Sequence, residues 1–418
     1  MQAKCIIARM NHVAVYRKRT MEAALRRAAG EFPSVVLTGP RQSGKTTLLR
    51  QMFGETHGYV SLEPPDVRAA ASSDPRGFLK QFPAPVIFDE IQYAPSLLPY
   101  IKEILDASRS RKGLYLLTGS QNLMMMEHVT ESLAGRTAIL RLLPFSYREI
   151  AGKPMAGMPW EESGGREMCP LLSGLSLWQT MFRGGYPELW QDLARDVSLW
   201  YASYMQTYLE RDVRQLRQVG DLTQFQSFLR ALAARSAQLL DLTSLGRDLG
   251  IATNTVRAWL SVLEASYQVV IIRPYFANIG KRLVKTPKVY FTDVGLLCHL
   301  VGIRDAGHAM QGPMAGAIFE TAMFAETIKR FWHSANDTPL HFWRTSTGVE
   351  VDMLVSRQQR LIPVEIKASS TPHPGMVGGL LAFQRDLPGE AEDGLLVHAG
   401  EIQLPLAPRV KAVPFGDF

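Results

Sequence analysis

The chain has 418 residues, enough for two or three separate cores at the usual domain size. Hydrophobic residues at 46% and charged residues at 20% give an ordinary globular mix, which excludes a mainly disordered or fibrous protein. Lys plus Arg exceeds Asp plus Glu by 46 to 39, a net charge of +7, which suits a polyanionic partner without specifying one.

The N-terminal stretch MQAKCIIARMNHVAVYRKRT has Arg9, Asn11 and His12 interrupting any apolar segment, and no run of eighteen apolar residues follows. Neither a membrane partner nor secretion is expected. Cys5, Cys169 and Cys298 are far apart and form no C-x-x-C pair, so a disulfide framework and a zinc knuckle are both unexpected and a cytoplasmic location fits.

Residues 20–31 carry an amphipathic helical pattern, and SVVLTG (34–39) is a short apolar strand that runs into a glycine-bearing loop. That loop, Gly39-Pro40-Arg41-Gln42-Ser43-Gly44-Lys45-Thr46, followed by Thr47, has the G-x-x-x-x-G-K-T spacing of a phosphate-binding P-loop. Its backbone N–H groups can turn inward around phosphate oxygens, assisted by the N-terminus of the next helix, TTLLRQM. Lys45 is expected at the β- and γ-phosphates, and Thr46 is expected to offer its hydroxyl oxygen to Mg2+.

The strands PVIFDE (85–90) and GLYLLTGS (113–120) flank a helical SLLPYIKEILDASR, so a parallel α/β sheet is expected with its site at the strands' C-terminal ends. Asp89 is expected to hold the magnesium of bound ATP and Glu90 to orient the attacking water. At the end of the next strand, Ser120 is a candidate sensor of the γ-phosphate or of that water, against a plain strand-end turn. Arg136 is a candidate arginine finger for a neighbouring subunit, with Arg141 as its rival and a solvated surface arginine as the bland reading.

VVLTGPRQSGKTTLL, VIFDEIQYAP, LLTGSQNLMM and ESLAGRTAILRLLPFSYREI together resemble a family of bacterial and archaeal AAA-type ATPases whose C-terminal half is a domain of unknown function. The resemblance runs from about Tyr16 to Ser370. It implies ATP hydrolysis and assembly into a homo-oligomer, and it places Thr46, Asp89, Glu90 and Ser120 in the roles just described. An ATPase core over residues 1–150 is therefore expected.

Residues 151–176 are rich in Gly, Pro, Ser and Met and read as a linker; 177–220 read as a helical lid beside the nucleotide. Within 221–284, LTSLGRDLG and TNTVRAWLSVLEAS around Gly250-Ile251-Ala252 read as helix-turn-helix, with Thr253 as N-cap. Val256, Trp259, Leu260 and Leu263 mark its buried face, leaving Asn254, Arg257, Ser261 and Glu264 outward. Asn254 and Arg257 are candidates for contact with nucleic acid, DNA ahead of RNA, and Lys281, Arg282, Lys285 and Lys288 could form a basic wing, making a winged helix. Such units also serve as protein contacts, and Glu264 would repel phosphate.

From 285 to 418 the pattern changes to mixed α/β, with a strand KVYFTD, a long helix and then the strands LHFWR, EVDMLVS and LIPVEIK. Strand alternation puts Glu365 and Lys367 on one face, and a hairpin would bring Asp352 beside them. Asp352, Glu365 and Lys367, with Glu320 from the helix, resemble the PD-(D/E)XK restriction-endonuclease layout, in which Asp352 and Glu365 would ligate a metal; Glu350 could substitute. Solvated charges on an edge hairpin, or a nuclease-like fold kept for binding, are the alternatives.

The expectation is thus an α/β protein made of a P-loop ATPase with a helical lid, a winged-helix unit and a restriction-endonuclease-like domain, acting on nucleic acid with ATP and Mg2+. A nucleotide-controlled switch or adaptor that binds a protein partner is the rival.

Overall fold

The computed structural model describes residues 16–119, 132–154, 157–160, 169–208, 221–275, 285–337 and 339–418. Ser120, Lys281 and Arg282 lie outside the described residues, as does Cys5.

Helix Met21–Glu31 buries Met21, Ala24, Leu25 and Ala28, the i, i+3, i+4, i+7 stripe that the amphipathic pattern required. It packs on the first of five parallel strands: β1 (Ser34–Thr38), β2 (Gly58–Ser61), β3 (Val86–Asp89), β4 (Tyr115–Gly119) and β5 (Thr137–Arg141), in the spatial order β2-β3-β4-β1-β5. Because β1 and β4 are flanked on both edges and covered on both faces, each is buried at every position, and their sequences are apolar runs rather than alternations. Two apolar clusters lie on the two faces of this sheet.

Beyond β5 the chain is helical. Helices Gly174–Arg183, Pro187–Gln191 and Val197–Tyr208 carry the aromatics singled out as a lid, and Tyr186, Trp200, Tyr201 and Tyr204 pack on one another with ring centroids 4.8–6.0 Å apart. Helices Leu242–Leu249 and Thr253–Ala265 are joined by a turn in which Gly250 has φ +68°, a left-handed conformation that favours glycine. Asn254, Arg257, Ser261 and Glu264 are exposed and Val256, Trp259, Leu260 and Leu263 buried, as the period required. The N-cap is Ala252 rather than Thr253, which already has helical backbone, so no side chain caps this helix.

Strands β6 (Val269–Ile272) and β7 (Lys288–Phe291) form an antiparallel pair of their own, so the strand KVYF joins the helical unit rather than the C-terminal sheet. The C-terminal sheet has six strands: β8 (Leu340–Arg344), β9 (Glu350–Arg357), β10 (Arg360–Lys367), β11 (Gly394–His398), β12 (Leu404–Ala407) and β13 (Val410–Pro414), in the order β12-β13-β11-β10-β9-β8. Helix Ala315–His333 covers it and is buried nearly all round, including Glu326, Lys329, Arg330 and His333. A single apolar cluster runs from Leu143 to Phe418, so helices Gly174–Arg183 and Val197–Tyr208, the helix pair Leu242–Leu249 and Thr253–Ala265, and one face of the C-terminal sheet share one core. Among the described residues no helix is long and apolar enough to cross a membrane.

Candidate nucleotide site

The loop after β1 is shaped by three left-handed or extended-positive residues, Gly39 at φ +149°, Gln42 at +60° and Gly44 at +94°. Gly39 admits no side chain, since a Cβ there would lie 2.0 Å from the Leu142 carbonyl oxygen. Gly44 is the N-cap of helix Lys45–Phe53, so the helix's unsatisfied N–H groups open towards the loop. Lys45 is 5% exposed, and its Nζ donates to the carbonyls of Gly39 at 2.9 Å and Pro40 at 2.8 Å, which fixes the ammonium at the loop.

Asp89 is the last residue of β3 and 7% exposed. Three hydroxyls converge on its carboxylate: Thr46 Oγ1 at 2.8 Å and Thr118 Oγ1 at 2.5 Å, both on Oδ1, and Tyr59 OH at 3.0 Å on Oδ2. Hard oxygens from Thr46 and Asp89 thus adjoin at the mouth of the P-loop, a donor set that fits Mg2+. Glu90 follows in a left-handed conformation, φ 59° and ψ 52°, rare for a non-glycine residue and characteristic of functional positions. Its backbone N–H donates to Thr118 Oγ1 at 3.0 Å, while its carboxylate accepts from the Gln92 amide.

Thr118, two positions before the Ser120 candidate, is a further site residue that the sequence does not single out. The β3–β4 register aligns Phe88 with Leu117, so the next residues, Asp89 and Thr118, end up side by side. A hydroxyl at the last polar position of a buried neighbouring strand was the available signal. Beside the loop, Tyr16, Arg17, Thr47, Leu48, Phe145 and Pro187 line a cleft of about 160 Å3, so the helix after Tyr186 does border the site.

Arg136 sits at the other end of the sheet, its carbonyl paired with Ser34 N–H at the start of β1, and Asp106 holds its guanidinium by two bonds of 2.7 and 3.0 Å. It cannot reach its own chain's P-loop. Arg141 lies opposite Thr38 at the P-loop end of β5, its guanidinium over the Trp332 ring.

The C-terminal carboxylates do come together. Asp352 Oδ2 accepts the Ile366 N–H at 2.8 Å, and Lys367 Nζ lies 2.5 Å from Glu365 Oε1 and 3.7 Å from Asp352 Oδ2. Glu320 Oε1 accepts from Tyr290 OH at 2.6 Å and from Lys288 Nζ at 2.9 Å, and the same ammonium is 2.5 Å from Glu350 Oε1. Lys288, expected on an exposed basic wing, is 3% exposed and belongs to this cluster instead. Arg344 completes it at 2.6 Å from Glu350. Among the described residues no three His, Cys, Asp or Glu side chains are grouped to hold a metal ion. Lys367 lies beside both Asp352 and Glu365, as the expected layout requires, and Glu365 Oε2 is buried without a hydrogen-bond partner.

Residues 31–151 match the AAA domain family, 175–307 a domain of unknown function (DUF8612) and 315–418 another domain of unknown function (DUF4143). The uncharacterized proteins Rv2008c of Mycobacterium tuberculosis and Mb2031c of Mycobacterium bovis are each 31% identical over 401 residues, which is 95% of this chain and 83% of theirs. The chain belongs to the Rv2008c family. Its first unit is an ATPase-type AAA domain with a P-loop on a parallel α/β sheet. The Walker-type ATPase PABY2304 of Pyrococcus abyssi aligns over 68% of this chain and 96% of its own at 18% identity and a TM-score of 0.42.

In this Rv2008c-family chain the carboxylate cluster titrates. Burial, then repulsion from Asp352, pushes Glu365 up to about 8 against the pull of Lys367, and the same two causes push Glu320 up to about 7. Four carboxylates face three cations, so one negative charge is in excess. Both folded pKa values lie above the unfolded 4.5. Stability from these groups is therefore complete below about pH 4.5 and is lost as pH rises through 7–8, by up to about 1.4 kcal/mol per unit for each proton released. Urea midpoints at pH 5 and pH 8 should differ more in wild type than in Glu365→Gln; equal pH dependence in the two would show that Glu365 keeps an ordinary pKa.

Proposed function

We propose that this chain binds ATP with Mg2+ at the P-loop, hydrolyses it, and uses the cycle to act on nucleic acid. The observation that carries the first part is the constellation of Thr46, Asp89, Thr118 and Glu90 beside Lys45. Bound Mg2+ would supply charge neutralisation on the terminal phosphates. Thr46 and Asp89 would hold it, the loop N–H groups and Lys45 would hold the phosphate oxygens, and the cleft at Leu48 and Phe145 would take the base. Glu90, with its backbone fixed by Thr118, is the group that takes the water's proton. Arg136 is assigned to a neighbouring copy's nucleotide in a homo-oligomer, a role for which its guanidinium must leave Asp106.

For the second part the support is the +7 charge and the exposed Asn254 and Arg257 on the second helix of the helix-turn-helix, where Arg257 also donates to Asn254 at 3.1 Å. A winged-helix role fits these residues. The C-terminal sheet, with its hairpin at β9–β10 and Asp352, Glu365 and Lys367 brought together on it, fits a restriction-endonuclease-like unit in outline. ATPase rate is expected to rise when single-stranded DNA, duplex DNA or RNA is added, and Asn254→Ala with Arg257→Ala to abolish the rise without changing the basal rate. No stimulation by any of the three, with a protein partner recovered stably on the chain, would replace this reading by that of a nucleotide-controlled adaptor.

A further inference from the structure

One side chain from before the first helix connects the P-loop to the C-terminal unit. Arg19 is 4% exposed and donates from Nη1 to the Ser43 carbonyl at 3.0 Å and from Nη2 to the Leu143 carbonyl at 2.7 Å, with its guanidinium 4.6 Å from the Phe145 ring centroid. Ser43 is inside the P-loop, and its C=O shares a planar trans peptide with the Gly44 N–H. The two point in opposite directions. A donor that fixes the Ser43 oxygen on one side therefore fixes the Gly44 N–H on the other, the side of the phosphate cradle.

Arg19 is itself held by Glu149, whose Oε2 is 3.1 Å from Arg19 Nε in a contact too bent to be a hydrogen bond. Every other approach to that carboxylate is filled: Ser146 N–H donates to Oε2 at 2.9 Å, Thr20 N–H donates to Oε1 at 2.8 Å, and His333 Nδ1 meets Oε1 at 3.2 Å. His333 Nε2 accepts the Leu143 N–H at 3.1 Å, which leaves the ring proton on Nδ1, facing Glu149. Arg19, Glu149 and His333 are thus joined in one buried chain, and His333 is the last residue of helix Ala315–His333.

We propose that Arg19 is a positioning residue of the nucleotide site, and that His333, through Glu149, makes the C-terminal helix part of that site. This rests on the reading of the P-loop as an ATP site. The same helix anchors the region twice more, with Lys329 Nζ donating to the Phe145 carbonyl at 3.0 Å and Glu326 accepting the Tyr147 N–H at 2.6 Å. About 20 Å back along it, at 1.5 Å per residue, stands Glu320 of the carboxylate cluster. A ligand that shifts this helix from the C-terminal side would change ATP affinity, and ATP would change that ligand's affinity by the same factor.

The test uses the full chain and steady-state hydrolysis of Mg·ATP, with equilibrium ATP binding measured alongside. His333→Leu removes both ring hydrogen bonds, whereas in His333→Gln the amide N–H can still reach Glu149 and the amide oxygen can still accept from Leu143. His333→Leu is expected to raise KM for ATP by about tenfold or more with kcat at saturation unchanged, and His333→Gln to restore most of it. A purely structural role would lower kcat, by loss of active protein, and leave KM alone. Arg19→Lys, which keeps the charge but serves one carbonyl at most, should raise KM likewise, and it decides the matter if His333→Leu yields no folded chain. Wild-type KM in folded Arg19→Lys would overturn the proposal. A wild-type chain that binds no ATP would instead overturn the reading on which it rests.

Discussion

Glu90→Gln is expected to bind ATP as tightly as wild type and to lose turnover by roughly 10²–10⁴-fold, the range removed with a general base. The amide keeps the size of the side chain, and the left-handed backbone at Glu90 is held by Thr118 through the main chain, so the site's shape survives. What is lost is a group that can take a proton from water. Because Asp89 is hydrogen-bonded by Thr46, Thr118 and Tyr59, its carboxylate is committed and cannot replace Glu90. Calorimetric ATP binding and phosphate release measured on one preparation separate the two effects, and wild-type turnover in Glu90→Gln would remove Glu90 from the mechanism.

Lys288→Met is expected to cost about 3–5 kcal/mol of stability, the usual consequence of removing one partner from a buried ion pair. The ammonium is 3% exposed and serves two carboxylates, Glu320 and Glu350, whose side chains are 16% and 19% exposed. Arg344 remains as a partner for Glu350 alone. With the cation gone the Glu320 pKa rises further, so the loss should be larger at pH 8 than at pH 5, where a proton substitutes in part. Adding Glu320→Gln should recover some of it. Urea unfolding reads all three variants, and an unchanged midpoint in Lys288→Met would show that the cluster is solvated rather than buried.

The parts of the fold that were legible in the sequence are those whose signal is local. The P-loop announces itself because one short segment must supply a tight turn, inward N–H groups, a lysine and a helix start, and only a narrow residue pattern does so. Three strands of the first sheet, β1, β3 and β4, follow from apolar runs broken by helical stretches, while β2 and β5, exposed at several positions on its edges, carry no such run; the buried face of Thr253–Ala265 follows from its period alone. Thr118 was less visible because its place opposite Asp89 depends on strand register, which no single strand reveals.

Contacts made at long range were not legible. Lys288 stands among basic residues in sequence and so reads as part of a wing, but Glu320 and Glu350, 32 and 62 positions on, surround it in the fold. The Leu143–His333 bond spans 190 residues, and neither residue is unusual in its own neighbourhood. The strand KVYF illustrates the same limit, since its partner β6 lies on the far side of the expected boundary at residue 284.

ATP hydrolysis at the P-loop of this chain is the reaction to test. The most direct measurement is phosphate release from Mg·ATP by wild type and by Lys45→Ala, purified in parallel and checked for the same fold by circular dichroism. Lys45 Nζ is held at the loop by the Gly39 and Pro40 carbonyls, where it would meet the phosphates, so its loss should abolish both binding and release while the sheet stays intact. Steady release by wild type and none by Lys45→Ala is the predicted result; equal rates in the two, or no ATP bound by either, would contradict it.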